Sequence, residues 1–291
     1  MEPPVAILEL EGLTKHFGGV KAVEGVDMTV AEGSITALIG PNGAGKTTCF
    51  NMITGHYVPT RGELLYRGLG EEQSLVGLRA DQISRRRIAR TFQNIRLCPE
   101  QTVLDNVRIG FHNLKTAGLL DVLLATRRFR QEEADVTASA RAVLRFVGLD
   151  ASAEGGIEAL LADSLPYGDK RRLEIARALA SSPALLLLDE PAAGMNPQET
   201  NVLIELIGKI RDHGITVLLI EHDMKLVMEI SDHVVVLDHG EKIAEGTPAQ
   251  VKENPDVIAA YLGAEEGQRQ SERLKQLDEP DDGSRGEGTA P

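Results

Sequence analysis

One short stretch constrains the fold of this chain more than any other, because residues 40–47 match the pattern G-x-x-x-x-G-K-[ST]. It follows the apolar run Ser34–Ile39, and its last residues begin the segment Lys46–Thr54, which we predict to be a helix. Glycines in such a loop let successive backbone N–H groups point at phosphate oxygens, and the helix N-terminus adds a favourable dipole. The sequence therefore predicts a phosphate-binding site between a buried strand and a helix.

Two residues of this loop have distinct expected roles. The Lys46 ammonium supplies a charge for the β- and γ-phosphates of a nucleotide, and the Thr47 hydroxyl is a ligand for Mg²⁺. The chain has no Asn-Lys-x-Asp motif, which disfavours a GTPase. The candidate nucleotide-binding residues of the loop are Gly40, Pro41, Asn42, Gly43, Ala44, Gly45, Lys46, Thr47 and Thr48.

A second element supports an NTPase. The run Leu185–Leu188 has the composition of a buried strand, and Asp189 and Glu190 follow it directly. A carboxylate at the C-terminal end of a buried strand suits coordination of Mg²⁺, which is the expected role of Asp189. Glu190 is then expected to lie beside a water in line with the γ-phosphate and to act as the general base.

Strand and helix patterns alternate along most of the chain. The region from about residue 94 to 164 is an exception, because strand signals fade there, and this predicts an inserted helical subdomain. Strands that alternate with helices predict a mostly parallel sheet. The expected strands are 7–10, 26–30, 34–39, 63–66, 184–188, 215–220 and 233–237. Besides 46–54, the expected helices are 105–111, 119–124, 132–147, 169–181, 198–212 and 223–229.

Composition excludes several classes of protein. The 291 residues carry 44 acidic against 31 basic side chains, a formal net charge of −13, which is the wrong sign for binding nucleic acid over a large surface. Cys49 and Cys98 lack C-x-x-C spacing, which argues against a disulfide scaffold or structural zinc and favours a reducing cytosol. The N-terminus lacks a signal-peptide pattern, and no apolar stretch approaches the ~18–20 residues that span a bilayer. If the protein works at a membrane, another subunit must hold it there.

Two charged segments are interpreted as solvent-exposed. Arg85, Arg86, Arg87 and Arg90 form a local basic run, which we interpret as a solvated helix face. Residues 264–291 are acidic and almost devoid of apolar side chains, which predicts a disordered tail.

The segment Leu165–Leu179, LPYGDKRRLEIARAL, resembles the signature motif of the ATP-binding subunits of ABC transporters. The resemblance covers roughly residues 7–263 and implies an α/β P-loop NTPase fold, with a RecA-like parallel sheet core, an antiparallel β-subdomain and the inserted helical subdomain. It also implies ATP and Mg²⁺ as cofactors. In that family two subunits sandwich two ATPs, so that Tyr167, Gly168 and Asp169 of one subunit are expected near the ATP of the other.

Three further residues obtain expected roles from the same resemblance. Gln93 resembles a glutamine that contacts Mg²⁺ and links the catalytic core to the helical subdomain. Phe17 stands where the family has an aromatic that stacks on adenine, and His222 matches a switch histidine that contacts the γ-phosphate. Gln93 and His222 thus join Lys46 and Glu190 in the expected catalytic set. The Asp169 carboxylate would oppose ATP binding, so we expect it to point away from the nucleotide.

Within the family, four stretches resemble the branched-chain amino acid importer: 88–97, 191–197, 220–228 and 260–263. This resemblance implies a peripheral ATPase on the cytoplasmic face of the inner membrane. Its partners would be transmembrane permease subunits, a second identical or paralogous ATP-binding subunit and, indirectly, a solute-binding protein, with no nucleic acid. Urea or amide importers and a lipopolysaccharide exporter share much of these stretches and remain alternatives. A soluble ABC ATPase acting on DNA or the ribosome is disfavoured by the single cassette and the net charge of −13.

Overall fold

The computed structural model describes residues 5–114, 126–149 and 156–262. Its strands are β1 Ala6–Phe17, β2 Val20–Ala31, β3 Ile35–Ile39, β4 Arg61–Tyr66, β5 Gln73–Ser74, β6 Ile88–Arg90, β7 Leu185–Asp189, β8 Thr216–Ile220, β9 His233–Asp238 and β10 Glu241–Gly246. Its helices are α1 Lys46–Ile53, α2 Ala80–Ser84, α3 Val103–Gly110, α4 Arg127–Phe146, α5 Tyr167–Leu179, α6 Pro197–Asp212, α7 Met224–Ile230, α8 Pro248–Lys252 and α9, residues 255–262. Short 3-10 helices occupy Phe111–Leu114, Ile157–Ala159 and Ala162–Ser164. The predicted helix 119–124 and the predicted disordered tail lie outside the described residues.

The larger sheet has six strands in the order β10-β9-β3-β8-β7-β6. The five strands from β9 to β6 are parallel, and β10 is antiparallel to β9. Every residue of β3, β7 and β8 is buried, because helices cover one face of the sheet and the smaller sheet with α1 covers the other. The predicted α/β fold with a mostly parallel sheet is confirmed.

Alternate residues of the central strands divide the core into two layers, since successive side chains of a strand point to opposite faces. In β7, Leu186 and Leu188 pack against the layer that contains α3 to α7. Leu185 and Leu187 pack against α1 and the smaller sheet. An apolar run without alternation is therefore what a strand buried on both faces requires.

The smaller sheet is antiparallel in the order β2-β1-β4-β5. Its first two strands extend well beyond the predicted 7–10 and 26–30, since β1 and β2 have 12 residues each. Their added ends carry polar residues such as Lys15, which pairs with Val23 across the hairpin. Because the backbone of the partner strand stabilises these ends, side-chain periodicity does not reveal them.

Among the described residues, α3 and α4 are the first two α-helices that follow β6 in the chain. Each begins earlier than the apolar pattern predicts, because a threonine caps its N-terminus. The Thr102 hydroxyl accepts a hydrogen bond from Asp105 N at the start of α3, and the Thr126 hydroxyl accepts one from Phe129 N at the start of α4. The loop after β6 starts at the edge of the sheet, beside β7, and leads to α3.

Candidate nucleotide-binding site

The loop between β3 and α1 needs glycine at its two ends. Gly40 has φ +145°, and a Cβ there would lie 2.0 Å from the Leu237 carbonyl oxygen. Gly45 has φ +100°, and a Cβ there would lie 2.5 Å from the Ala22 carbonyl oxygen. The loop is therefore held between the end of β9 and the start of β2, which leaves no room for a side chain at either position.

Lys46 is buried beneath this loop. Its ammonium donates hydrogen bonds to the carbonyl oxygens of Gly40 at 2.7 Å and Pro41 at 2.9 Å. Burial lowers the pKa of Lys46, whereas the negative charges of Glu190 and Asp189 raise it. The ammonium thus lies at the centre of the loop, shielded from bulk water and close to two carboxylates. Because solvent screens it weakly there, its charge would interact strongly with an anionic phosphate.

Asp189, the last residue of β7, is tied to Arg90 at the end of β6. The Arg90 Nη2 donates a hydrogen bond to Asp189 Oδ2 at 2.7 Å, and its Nη1 donates to Asn51 Oδ1 at 2.7 Å and to Thr54 Oγ1 at 3.0 Å. The interpretation of Arg90 as part of a solvated helix face is wrong: it ends a strand, and its side chain is 6% exposed. The residues around Arg90 in the sequence give no sign that its side chain binds Asp189.

Glu190, Gln93 and His222 come together although they lie far apart in the sequence. The Gln93 Nε2 donates a hydrogen bond to Glu190 Oε2 at 2.8 Å, and the His222 Nδ1 lies 3.8 Å from the same oxygen. Glu190 adopts a left-handed backbone with φ +45°, and its N–H donates to the carbonyl oxygen of Ile220 at 2.9 Å. The carboxylate of Glu190 thus accepts a hydrogen bond from the Gln93 amide and lies near the His222 imidazole.

Sequence reasoning missed Glu221, the residue before His222. Its side chain is completely buried and accepts three backbone hydrogen bonds, from Ala192 N at 2.8 Å, His222 N at 3.1 Å and Asp223 N at 3.5 Å. Burial raises the pKa of Glu221, and the three N–H donors and His222 oppose that shift. Glu221 therefore holds the loop after β7 to the loop after β8. A carboxylate that ends an apolar strand, as in Ile220-Glu221, was the available signal.

The three candidate residues of the signature segment start α5. The Tyr167 hydroxyl donates a hydrogen bond to the Ala193 carbonyl oxygen at 2.9 Å, and a Cβ on Gly168 would lie 2.7 Å from Glu199 Oε1. The Asp169 Oδ1 accepts a hydrogen bond from Arg172 Nη2 at 2.5 Å. In the described parts of the chain, no hydrogen bond joins α5 to the phosphate-binding loop. The structure therefore does not bring these residues to the loop of their own chain.

Phe17 lies at the tip of the β1–β2 hairpin, where it pairs with Val20. Its ring is 43% exposed and meets the Tyr57 ring edge to face, with the centroids 5.1 Å apart. The start of β2 contacts the loop at Gly45 through Ala22. An exposed aromatic pair thus lies at the tip of the hairpin whose second strand reaches the phosphate-binding loop, and Tyr57 is a member that the sequence did not suggest.

The oxygen ligands on these elements suit Mg²⁺. The hydroxyl of Thr47, the carboxylate of Asp189 and the amide oxygen of Gln93 are hard donors, and Mg²⁺ is usually bound by one or two carboxylates together with phosphates. Among the described residues, no group of three or more His, Cys, Asp or Glu could hold a metal ion. This donor set therefore fits a cation shared with a nucleotide better than one enclosed by protein.

Comparison with known proteins decides the family. The ABC transporter family model matches residues 23–193. The chain belongs to the ABC transporter family. A second model, described as the branched-chain amino acid ATP-binding cassette transporter, matches residues 241–267 of this ABC subunit. The subunit is also 50% identical over 258 residues to the high-affinity branched-chain amino acid transport ATP-binding protein BraF of Pseudomonas aeruginosa, an alignment that covers 88% of this chain and 98% of BraF.

Solved structures agree with this family assignment. The ADP conformation of MJ1267, an ATP-binding cassette of an ABC transporter, matches with a TM-score of 0.75 and 32% identity over 89% of this chain and 99% of that chain. MJ0796, a bacterial ABC transporter cassette solved as a dimer, matches with a TM-score of 0.67 and 25% identity over 83% and 98% of the two chains. The ABC subunit is thus an ATP-binding and ATP-hydrolysing protein with a P-loop NTPase fold. None of its described helices is long and apolar enough to cross a membrane.

Proposed function

We propose that this protein is the ATP-hydrolysing subunit of an importer of branched-chain amino acids. The observation that carries the proposal is the match of residues 241–267 to the branched-chain amino acid cassette model. The identity to BraF over nearly the whole of both chains supports it. The subunit would lie on the cytoplasmic face of the inner membrane, bound to transmembrane permease subunits that receive their solute from a solute-binding protein.

ATP would bind with its phosphates in the loop 40–48. The buried Lys46 would turn from the loop carbonyls to the β- and γ-phosphates, and Phe17 would stack on the adenine. Thr47 and Asp189 would hold Mg²⁺, with Gln93 as a further ligand. When bound, the cation neutralises charge that develops on the phosphate oxygens.

Glu190 would be the general base of hydrolysis. It would accept a proton from a water whose oxygen forms a bond to the γ-phosphorus while the bond to the β-phosphate oxygen breaks and ADP leaves. The hydrogen bond from Gln93 and the nearby His222 support this role, because they orient the carboxylate. His222 would also contact the γ-phosphate, so that both residues respond to the presence of the nucleotide.

The second half of each site would come from a second subunit, identical or paralogous. The N-terminus of α5, at Tyr167, Gly168 and Asp169, is separate from the phosphate-binding loop of its own chain, and a helix N-terminus favours a bound anion. The Asp169 carboxylate is engaged by Arg172 on the same helix, which supports the expectation that it points away from the nucleotide. Dimer closure around ATP would then drive the permease.

Solute uptake in cells tests the proposed substrate. In the source organism, a strain whose sole copy carries Lys46→Ala should lose uptake of labelled leucine and keep uptake of labelled urea. A matched strain with Lys209→Ala, which removes an exposed lysine of α6, should transport leucine normally. Loss of urea uptake with leucine uptake intact would move the assignment to the urea or amide importers.

Dimerisation of the purified subunit tests the mechanism. The Glu190→Gln variant should bind ATP without turnover and accumulate as an ATP-bound dimer on size-exclusion chromatography. The wild-type chain should form this dimer only transiently, because hydrolysis reopens it. Normal ATP turnover by Glu190→Gln would remove Glu190 from the role of general base.

A further inference from the structure

Arg171 is a fully buried charge in the second turn of α5. Its side chain is 0% exposed, yet its guanidinium donates to four acceptors. Nη1 donates to the Phe92 carbonyl oxygen at 2.7 Å and to Glu174 Oε2 at 3.0 Å, and Nη2 donates to the Gln93 carbonyl oxygen at 2.9 Å and to the Tyr167 hydroxyl at 3.3 Å. The planar fork of arginine can reach several acceptors on one side, which a lysine cannot reproduce.

Glu174, the partner of Arg171, extends the same connection. It is 1% exposed, and its Oε1 accepts hydrogen bonds from Arg96 N at 3.2 Å and Phe92 N at 3.4 Å. The backbone from Phe92 to Arg96 is therefore held from both sides by one ion pair. The Arg96 guanidinium also lies over the Phe92 ring, 3.9 Å from its centre.

The two ends of this connection reach the catalytic glutamate. At one end, Gln93 donates its side-chain amide to Glu190. At the other end, Tyr167 donates its hydroxyl to the carbonyl oxygen of Ala193, three residues after Glu190. Arg171 stands between them, in contact with the backbone of Gln93 and with the hydroxyl of Tyr167. The start of α5 is thereby linked to both sides of Glu190.

Net stability does not explain this pair. Buried ion pairs are expensive to desolvate, and apolar residues of similar volume often serve stability equally well. What the charged pair adds is geometry, because its donors and acceptors fix the backbone of a loop that has no regular secondary structure between β6 and α3.

We propose that Arg171, with Glu174 as its counter-ion, is a positioning residue that transmits the position of the α5 N-terminus to Gln93 and Glu190. The proposal rests on the proposed function, in which that N-terminus contacts the ATP of the second subunit. Closure on the ATP of one site then positions the base of the other site. Arg171 itself touches neither ATP nor the attacking water.

The test compares two variants and a control variant of the full chain with wild type. The double variant Arg171→Met/Glu174→Met removes both charges and leaves no unpaired buried ion, and Arg171→Lys keeps the charge but loses the fork. We expect kcat for ATP to fall about tenfold or more in both, with KM within about threefold of wild type, because the loop that holds ATP is intact. The Hill coefficient for ATP should fall towards one. The control Arg141→Met/Glu158→Met removes an ion pair of the helical region and should keep the wild-type kcat.

Hydrogen exchange measures the connection without any nucleotide. In the double variant the amides of Phe92 and Arg96 should exchange faster, because they lose their acceptor, while the thermal unfolding midpoint stays near that of wild type. Wild-type kcat, Hill coefficient and exchange in the double variant would overturn the proposal. If the double variant does not fold, Arg171→Lys decides, and wild-type kcat and Hill coefficient in that variant would overturn it. Failure of Glu190→Gln to form an ATP-bound dimer would instead contradict the proposed function. Hydrogen exchange distinguishes this failure from failure of the Arg171 proposal, because it is measured without nucleotide.

Discussion

The Nη2 of Arg90 lies 2.7 Å from Oδ2 of Asp189, and these side chains are only 6% and 4% exposed. The same guanidinium donates hydrogen bonds to Asn51, which lies in α1, and to Thr54, which directly follows α1. One buried arginine thus joins the helix behind the phosphate-binding loop to the carboxylate that ends β7. The arginine engages Oδ2 of that carboxylate.

Replacement of Arg90 should destabilise the fold strongly. Arg90→Met leaves the buried Asp189 carboxylate without its partner, and loss of one member of a buried ion pair costs about 3–5 kcal/mol. The free energy of unfolding in urea measures this change. The control Arg211→Met, which removes a partly exposed ion pair with Asp212, should cost less than about 1 kcal/mol. An equal cost in the two variants would contradict a structural role for the Arg90–Asp189 pair.

The sequence predicts the site elements that are contiguous in the chain. Neighbouring residues alone predict the glycine-rich loop between an apolar strand and a helix, and the position of Asp189 after four leucines. The buried strands β3, β7 and β8 follow in the same way from their apolar runs. The strands β6 and β10 lack such runs, because they lie at the two edges of the sheet and carry charges such as Arg90 and Glu241.

Long-range polar contacts could not be predicted in the same way. The partners of Arg90, Arg171 and Glu221 come from other elements, and a single sequence gives a charged residue no sign of which distant backbone it will meet. Surface exposure is the default expectation for such residues. Arg171 is buried by the packing of α5 on the loop after β6, and Glu221 by the packing of the loops after β7 and β8.

The stability contribution of Glu221 should depend on pH. Its pKa is raised by burial, so the folded protein binds this proton more tightly than the unfolded chain does. Its contribution to stability is therefore fully present below the unfolded pKa of about 4.3 and is lost as the pH rises through the higher folded value. Glu221→Gln does not titrate, so the wild-type free energy of unfolding minus that of the variant should decrease over this interval.

Urea denaturation of both proteins from about pH 4 upwards measures that difference, and other titrating groups cancel in the subtraction. A difference that increases with pH would mean that the backbone donors from Ala192, His222 and Asp223 outweigh burial and lower the pKa. The Glu158→Gln variant is a control of opposite sign, because a hydrogen bond from Arg141 lowers the pKa of that partly exposed carboxyl.

The two cysteines should differ in reactivity. Both are free, with Cys49 buried and Cys98 partly exposed, and burial raises the pKa of the Cys49 thiol to about 12. Because the thiolate is the reactive form, a disulfide reagent at about pH 8 should modify Cys98 in the folded protein and Cys49 only after unfolding. Cys98→Ser should abolish the fast reaction. Rapid modification of Cys49 in that variant would contradict the burial of this α1 side chain.

Removal of the exposed aromatic at the hairpin tip should weaken ATP binding. Phe17 is 43% exposed beside Tyr57, and stacking of a base on an aromatic contributes about 1–3 kcal/mol. Phe17→Ala should therefore raise the Kd for a fluorescent ATP analogue about 5- to 150-fold. Phe17→Tyr keeps the ring and should bind as wild type does. Unchanged affinity in Phe17→Ala would contradict the adenine contact of Phe17, and Tyr57→Ala would then test the other ring of the aromatic pair.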